Sequence, residues 1–306
     1  MAGRHFREED TPTPVERVSE PVSAKRYTQE PVAVKPVAVM PEPTKRPRKR
    51  KSALKTISTL LILAGLAMLL VSGGMWGYSR YRYWKQDQTN KELATHVKVL
   101  DTEAEAPAAE EETEKKAPIE VDWAALKAVN DDIVGWIYVP GTVVNYPVYQ
   151  GKSNDDYLRT NALGEYSVGG QVFLDYQNAA PGMVDRQSIL YGHHLWDGTM
   201  FQPLSLLDDQ AVFDATDTIW YVTEKEAFEL QPLFMYYVAP DDETVRQFTF
   251  ASDEKFREYL KQQLAKAVTK RADAEQLVDG ALRVLTMSTC NYYDGYGRSI
   301  LVAIEK

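Results

Sequence analysis

The sequence has a single cysteine, Cys290, and only four histidines among its 306 residues. One cysteine excludes an internal disulfide, and the Cys-x-x-Cys and His-x-x-x-His spacings common in zinc sites do not occur. Only His193 and His194 fall in the region that we predict to be globular, and adjacent strand residues point to opposite faces. Because two such histidines are poorly placed to hold one ion, we expect no metal and no cofactor.

Charged residues are absent from residues 56–79, a run long and apolar enough to cross a bilayer as one helix. Basic residues are denser before this run than after it, so the positive-inside rule places the N-terminus in the cytoplasm and the remainder outside. The preceding stretch is too long for the basic region of a signal peptide, and no clear small-x-small cleavage site follows the apolar core. We therefore predict a plasma-membrane protein with a single transmembrane helix.

The composition of the chain predicts four regions. Residues 1–55 are rich in Pro, Val and basic residues without apolar periodicity, which indicates a disordered cytoplasmic arm. Residues 56–79 form the transmembrane anchor, and the increasingly acidic residues 80–116 are expected to form an extended extracellular stalk. The size of residues 117–306 suits one globular domain. The net charge of −9 argues against nucleic acid as a partner of the exported part.

The globular region is predicted to be mainly β. Asp122 is a candidate N-cap for a short helix, and Ser252 is a candidate N-cap for a long helix that continues to Ala267 with one apolar face. The remaining apolar runs are short and separated by Gly, Pro and Asn, which is typical of a closed barrel or a sandwich. These runs are residues 134–139, 143–150, 171–176, 189–193, 218–223, 228–238, 245–250, 282–286 and 300–304.

Cys290 ends an apolar strand-like run and precedes a Gly-containing loop, a position where a rigid scaffold often exposes a reactive group. A lone cysteine can equally be a small buried hydrophobe, and composition alone does not decide between the two. Arg298 opens the next strand, so a two-stranded hairpin would return its guanidinium to the sulfur. A thiolate nucleophile also needs an imidazolium to stabilise it and to protonate the leaving amine, which makes His193 or His194 its candidate partner.

Several segments resemble the sortase family of cysteine transpeptidases. Residues 286–290, T-M-S-T-C, are similar to its T-L-x-T-C signature, with a Met of similar volume in place of Leu. Residues 191–193, Tyr-Gly-His, resemble the segment that carries the catalytic histidine, which points to His193 rather than His194. The spacing to Arg298 is also similar to that of the family. Further similarity, to class B, lies in residues 130–137, 145–148, 173–176 and 197–201 and in the long helix before the cysteine strand.

The resemblance implies a closed sortase-type β-barrel with an N-terminal helix and one long inserted helix. It implies a transpeptidase that cleaves a C-terminal sorting signal after Thr, with Cys290 as nucleophile, His193 as acid/base and Arg298 as the oxyanion partner. The implied substrate contacts are Ser288, Thr289 and Tyr292. The implied partners are surface proteins that bear a sorting signal and a peptidoglycan precursor, or another cell-wall amine, that accepts the acyl group, as in Gram-positive cells.

Two alternatives from other classes remain. An L,D-transpeptidase would use similar cysteine chemistry, although the sequence has no Ser-His-Gly-x-x-x-Cys-like cluster. A non-catalytic, membrane-tethered binding module would keep the barrel and make no use of the thiol. Thioester trapping with sorting peptides or with peptidoglycan stem peptides separates the first alternative, and thiol labelling at neutral pH separates the second, because a buried inert cysteine labels slowly.

Overall fold

The computed structural model describes residues 51–100, 117–291 and 297–306. The chain divides into two compact units, residues 1–59 and residues 60–306. Of the first unit only residues 51–59 are described, and they are helical, so the arm predicted over residues 1–55 lies almost entirely outside the described residues. The second unit contains the rest of that helix and a mainly β structure, which carries the candidate site.

Helix α1, Lys51–Ala94, is the one helix in the described part of the chain that is long and apolar enough to cross a membrane. Its large apolar side chains between Leu60 and Met75 are exposed, which suits a surface that faces lipid. The helix continues well beyond Ser79, where the uncharged run ends. The apolar segment expected from the sequence is therefore part of a longer helix.

Residues 80–100, which composition assigned to the stalk, differ from that expectation. The helix runs through to Ala94, and Gln86, Asn90 and Leu93 are buried, at spacings that place them on one helical face. Two of these three side chains are amides, so the face that packs on the barrel reads as polar in the sequence. Strand β1, Val97–Val99, then pairs antiparallel with β2, Ile119–Val121. Residues 101–116 of the predicted stalk lie outside the described residues.

Both predicted helices are present in the globular region. The short one is α2, Trp123–Val129, and the long one is α5, Asp253–Leu264, which ends three residues before the predicted end. Asp122 and Ser252 cap them, each side chain accepting a backbone N–H three residues later, at 2.9 and 3.3 Å. In the described part of the region, three further short α-helices were not predicted: α3 (Gln202–Ser205), α4 (Gln210–Ala215) and α6 (Ala274–Gly280).

Eight strands close into a barrel. Together with a ninth, short strand they form one sheet. Its strands are β3 (Ile133–Tyr138), β4 (Asn145–Tyr149), β5 (Val172–Leu174), β6 (Gln187–Tyr191), β7 (Ile219–Val222), β8 (Ala227–Val238), β9 (Thr269–Lys270), β10 (Val284–Asn291) and β11 (Gly297–Glu305). The order around the barrel is β8-β11-β10-β6-β5-β4-β3-β7, and β7 pairs with β8 to close it. The short β9 adds to β8 outside this ring. Two of the pairings, β4 with β5 and β6 with β10, are parallel.

The core lies in and around this barrel. Side chains from most strands fill its interior, among them Ile137, Leu190, Leu285 and Leu301, which are buried almost completely. A second apolar cluster forms where α5 and α6 pack on the outside, against residues of β8, β10 and β11. Mainly β structure with a closed barrel and one long inserted helix confirms the predicted fold class.

All but one of the predicted strand-like runs overlap an observed strand. The run at residues 245–250 is wrong, because Glu243–Val245 form a 3-10 turn and the following residues pair with no strand. The Phe250 ring packs on α5, with its centroid 5.0 Å from that of Phe256 and 5.2 Å from that of Tyr259. The alternation of apolar residues here reflects packing against a helix rather than the pleat of a sheet.

Candidate active site

The cysteine and the arginine face each other across a hairpin. Strands β10 and β11 pair antiparallel, and the register places Cys290 opposite Arg298. Directly opposed residues of such a pair have Cβ atoms about 4.5 to 5.5 Å apart and project from the same face of the sheet. Cys290 is exposed and Arg298 is half-buried. The register therefore places Arg298 across from an accessible cysteine, and both residues line one cavity.

The histidine segment reaches the same place from the other side of β10. Strand β6 pairs parallel with β10, with Tyr191 opposite Ser288, and the Gly192 N–H donates to the Ser288 carbonyl oxygen at 3.1 Å. His193 follows immediately, and its side chain lines the cavity that Cys290 and Arg298 also line. Three neighbouring strand ends thus bring the three residues together.

A tight turn fixes the path of the histidine segment. The Phe201 N–H donates to the His193 carbonyl oxygen at 2.8 Å, and His194 forms a bridge with Met200. The Phe201 ring lies so close to the chain that a Cβ at Gly192 would be 2.5 Å from it. Glycine is therefore required before His193, because any side chain there would push the ring or the strand away.

The cavity has a volume of about 250 Å³. Its floor includes Phe173 and Tyr191, and charged groups stand on its walls: Asp155, Glu243, Arg246 and Arg298. The size suits part of an extended peptide rather than a large cofactor. A cavity lined by both apolar and charged side chains, with an exposed cysteine among them, can hold a peptide carbonyl against a nucleophile.

Burial governs the electrostatics of His193. Desolvation lowers the pKa of its imidazole below the usual value, and the positive charge of Arg159 adds to this effect. A hydrogen bond works the other way, since Nε2 lies 2.7 Å from the Leu158 carbonyl oxygen. A carbonyl can only accept, so Nε2 carries the proton in this arrangement and Nδ1 is the acceptor of the neutral ring.

His194 lies near the same strand but has a different environment. Burial lowers the pKa of its imidazole, and a hydrogen bond with the backbone of Cys290 opposes that shift. Its ring meets the ring of Trp196 edge-on, with centroids 6.3 Å apart. His194 thus contacts the backbone of Cys290, whereas His193 lines the cavity.

Two of the three predicted substrate contacts line the cavity. Ser288 and Thr289 are buried in β10 beside Cys290. The Thr289 hydroxyl has no hydrogen-bond partner among the described residues. Tyr292 lies outside the described residues.

Sequence reasoning missed a buried carboxylate, that of Asp175, which bonds to residues that line the cavity. Asp175 is fully buried and accepts hydrogen bonds from Arg246 (Nε at 2.9 Å, Nη2 at 3.1 Å), from Asn154 at 2.9 Å and from the Tyr191 hydroxyl at 2.9 Å. Burial alone would raise its pKa, but these hydrogen bonds and that of the Gln177 N–H outweigh burial and hold the pKa below the usual range. Its partners all belong to, or border, the cavity wall.

A signal for Asp175 was present in the sequence. It follows Phe173 and Leu174 directly, and an acidic residue inside an apolar strand is seldom buried without a partner. The partner was not predictable, because Arg246 is 71 positions away and lies in the segment that was taken for a strand.

The closed barrel carries a lone cysteine opposite an arginine and next to a histidine, residue types that cysteine-dependent acyl transfer can use. The family model described as Sortase domain matches residues 137–305. The sortase B of Staphylococcus aureus is 33% identical over 181 residues, which are 58% of this chain and 72% of that protein. This chain belongs to the sortase family and is class B-like, and its enzymatic class is that of the cysteine transpeptidases.

Solved structures agree with this assignment. The sortase B–substrate complex of S. aureus is 31% identical, with a TM-score of 0.53, covering 59% of this chain and 82% of that chain. The sortase B of B. anthracis is 26% identical, with a TM-score of 0.59, covering 74% of this chain and all of that chain. Membership in the sortase family of cysteine transpeptidases argues against the two alternatives left open by the sequence, an L,D-transpeptidase and a non-catalytic binding module.

Proposed function

We propose that this chain cleaves a sorting signal after Thr and joins the new carboxyl group to an amine of the cell wall. The observation that carries the proposal is the register that sets Cys290 opposite Arg298, at the cavity lined by His193. The similarity to a sortase B that has been solved with its substrate supports a sorting-signal peptide as the ligand.

In the first half-reaction, the Cys290 thiolate attacks the Thr carbonyl carbon, and the carbonyl oxygen becomes an oxyanion. The guanidinium of Arg298 donates hydrogen bonds to that oxygen, which stabilises the tetrahedral intermediate. The peptide C–N bond then breaks, the amine leaves with a proton from the His193 imidazolium, and a thioester on Cys290 remains.

In the second half-reaction, an acceptor amine attacks the thioester carbonyl and gives up a proton to the neutral His193. The C–S bond breaks, the new amide departs and the thiolate returns. The lowered pKa of His193 suits this step, because burial favours the neutral ring that accepts the proton.

The cavity offers groups that would hold the peptide. We assign Ser288 and Thr289 to its binding, since both line the cavity and the Thr289 hydroxyl is buried without a partner among the described residues. Tyr292 stays a prediction from the resemblance. The orientation of α1 with its N-terminus in the cytoplasm would place this cavity outside the cell, where both substrates are found.

The test is a transfer assay with the full chain in detergent micelles. A panel of sorting peptides is incubated with an amine acceptor, and products are identified by mass. The proposal expects cleavage after Thr and a new amide that contains the acceptor, and it expects neither with Cys290→Ala, because the chain has no second thiol. Cleavage at another bond, or turnover by Cys290→Ala, would contradict it.

A further inference from the structure

The end of α1 that follows the uncharged run is fixed to the barrel. Gln86 and Leu93 are 5% and 3% exposed, and the Gln86 side-chain amide donates to the Gly170 carbonyl oxygen at 3.0 Å. Tyr83, four residues after Ser79, already packs against the barrel core. The barrel is therefore held against the helix from about one turn beyond the end of the apolar run.

One loop of the barrel, residues 160–166, attaches to α1 even nearer to that end. The Tyr166 ring lies under the Arg82 guanidinium, with 4.4 Å between the guanidinium carbon and the ring centroid. Lys85 forms an ion pair with Glu165 at 3.0 Å. Both contacts join consecutive loop residues to consecutive turns of the helix, so the loop follows the helix surface.

The loop is an ordered hairpin rather than a loose connection. Thr160 and Tyr166 pair as a bridge, and the Asn161 N–H donates to the Glu165 carbonyl oxygen at 2.8 Å. The Asn161 side-chain oxygen accepts from two more backbone N–H groups of the loop, at 3.0 and 2.9 Å. Leu163 and Tyr166 of this hairpin present their side chains to the outside, at 55% and 63% exposure.

The rise of the helix sets the depth of this loop. At 1.5 Å per residue, Arg82 lies about 4.5 Å beyond Ser79, and Lys85 lies about 9 Å beyond it. The headgroup layer on one side of a bilayer is roughly 5 to 7 Å thick. With residues 56–79 in the hydrocarbon core, the ring that Arg82 covers lies at the level of the headgroups.

We propose that residues 160–166 form a membrane-contacting surface, whose partner is the headgroup layer of an anionic bilayer. A tyrosine ring and a leucine suit the boundary between apolar and wet regions, and Arg82, whose guanidinium lies over that ring, suits lipid phosphates. The inference rests on the proposed membrane anchorage of α1. The inference also places the cavity near the membrane surface, because Leu158, whose carbonyl oxygen binds His193, is two residues before this loop.

The test measures depth with nitroxide labels on the full chain in nanodiscs of phosphatidylglycerol and phosphatidylcholine. Because the chain has one cysteine, Cys290→Ser gives a background for single labels. Labels are placed by Tyr166→Cys and Leu163→Cys in the loop, by Leu66→Cys in the apolar run and by Leu282→Cys as a control. Leu282 is 60% exposed and starts the segment whose far end is Cys290. Power saturation then compares collisions with oxygen and with a water-soluble nickel chelate.

The inference expects the two loop labels to lose accessibility to the nickel chelate relative to Leu282 and to gain accessibility to oxygen, with Leu66 the deepest. Loop labels as accessible to nickel as Leu282, with Leu66 in the bilayer, would overturn the surface and leave the anchorage intact. An aqueous Leu66 would overturn both. Protection that disappears when the nanodiscs are prepared with one chain per disc would mean that a second protein copy covers the loop, which also overturns the inference. Failure of the peptide-transfer assay would affect none of these measurements, so the two proposals fail separately.

Discussion

Arg298 acts in this account through the fixed position of its donors rather than through its charge alone. An oxyanion that exists only in the transition state is best stabilised by donors already in place, and lysine offers one mobile ammonium instead of a planar fork. We therefore expect Arg298→Lys to lower kcat by about 100-fold to 1000-fold with KM little changed. Steady-state kinetics on the full chain in detergent measure both constants.

The matched control is Arg271→Lys. Arg271 is paired with the carboxylate of Asp273 at 2.9 Å, and both side chains are partly exposed. A surface ion pair of this kind is worth roughly 0 to 1 kcal/mol, so turnover and melting temperature should stay near wild type. If Arg298→Lys behaves like Arg271→Lys, Arg298 has no part in oxyanion stabilisation.

The two histidines are expected to differ strongly. His193→Ala removes the ring that lines the cavity and should lower kcat by about 100-fold to 10,000-fold, the usual contribution of general acid–base catalysis. His194→Ala removes a contact with the Cys290 backbone and should keep most of the activity. Kinetics of both variants, with melting temperatures to exclude misfolding, decide the matter. Equal losses would show that both rings serve the reaction.

At the residue scale, the candidate site could be predicted because cysteine and histidine are rare in this sequence. A chain with one cysteine and two histidines in its globular part leaves few ways to build a thiol site, and the hairpin spacing suggested Arg298. The Leu158 carbonyl that binds His193 and the Asp175 carboxylate under the cavity were not predictable in the same way. Main-chain acceptors have no residue signature, and a buried ion pair depends on how distant segments meet.

At the element scale, the Asp175 ion pair joins β5 to the 3-10 turn at Glu243–Val245, because Arg246 directly follows that turn. Asp175→Asn would leave the Arg246 guanidinium, whose side chain is 22% exposed, with only the exposed Glu243 carboxylate, at 3.2 Å, as a charge partner among the described residues. Breaking a fully buried pair costs roughly 3 to 5 kcal/mol, and the partial exposure of the arginine should bring this to about 2 to 3 kcal/mol. Urea unfolding of the full chain in detergent measures the change.

The control for that variant is Asp253→Asn. Asp253 pairs with Arg186, and both side chains are 41% exposed, so the expected loss is at most about 1 kcal/mol. Asp175→Asn should also raise KM for the sorting peptide, since Arg246 and Tyr191 line the cavity. A loss of stability no greater than that of Asp253→Asn would contradict the role of Asp175.

The same carboxylate makes the barrel acid-sensitive. Its pKa is lowered in the folded state, so its contribution to stability is complete above the unfolded value of about 3.9. That contribution is lost as the pH falls through the lower folded value. The difference in stability between wild type and Asp175→Asn should therefore shrink below about pH 4.

The elements were predictable where local chemistry determines them. Asp122 and Ser252 marked the starts of α2 and α5 because a capping side chain binds backbone N–H groups only three residues away. The run at residues 245–250 was misread because aromatic packing on a helix and a strand pleat produce the same alternation. The end of α1 was misread because the face that packs on the barrel contains the amides of Gln86 and Asn90.

At the scale of the whole molecule, the proposed topology places the barrel outside the cell. The denser basic residues before residue 56 should remain in the cytoplasm, and everything after Ser79 should be exported. A protease added to intact cells is expected to degrade the Cys290 domain and to spare an epitope tag at the N-terminus. Immunoblots with tags at both ends read this out. Protection of the C-terminal tag, with loss of the N-terminal one, would reverse the orientation.

The central claim is that Cys290 carries the acyl group between donor and acceptor. The direct measurement is the intact mass of the full chain after a short incubation with a sorting peptide in the absence of an amine acceptor. The account predicts an added mass equal to the peptide up to and including its Thr, released by hydroxylamine as expected for a thioester, and absent from Cys290→Ala. Peptide cleavage by the wild type with no adduct at any time, or the same adduct on Cys290→Ala, would contradict it.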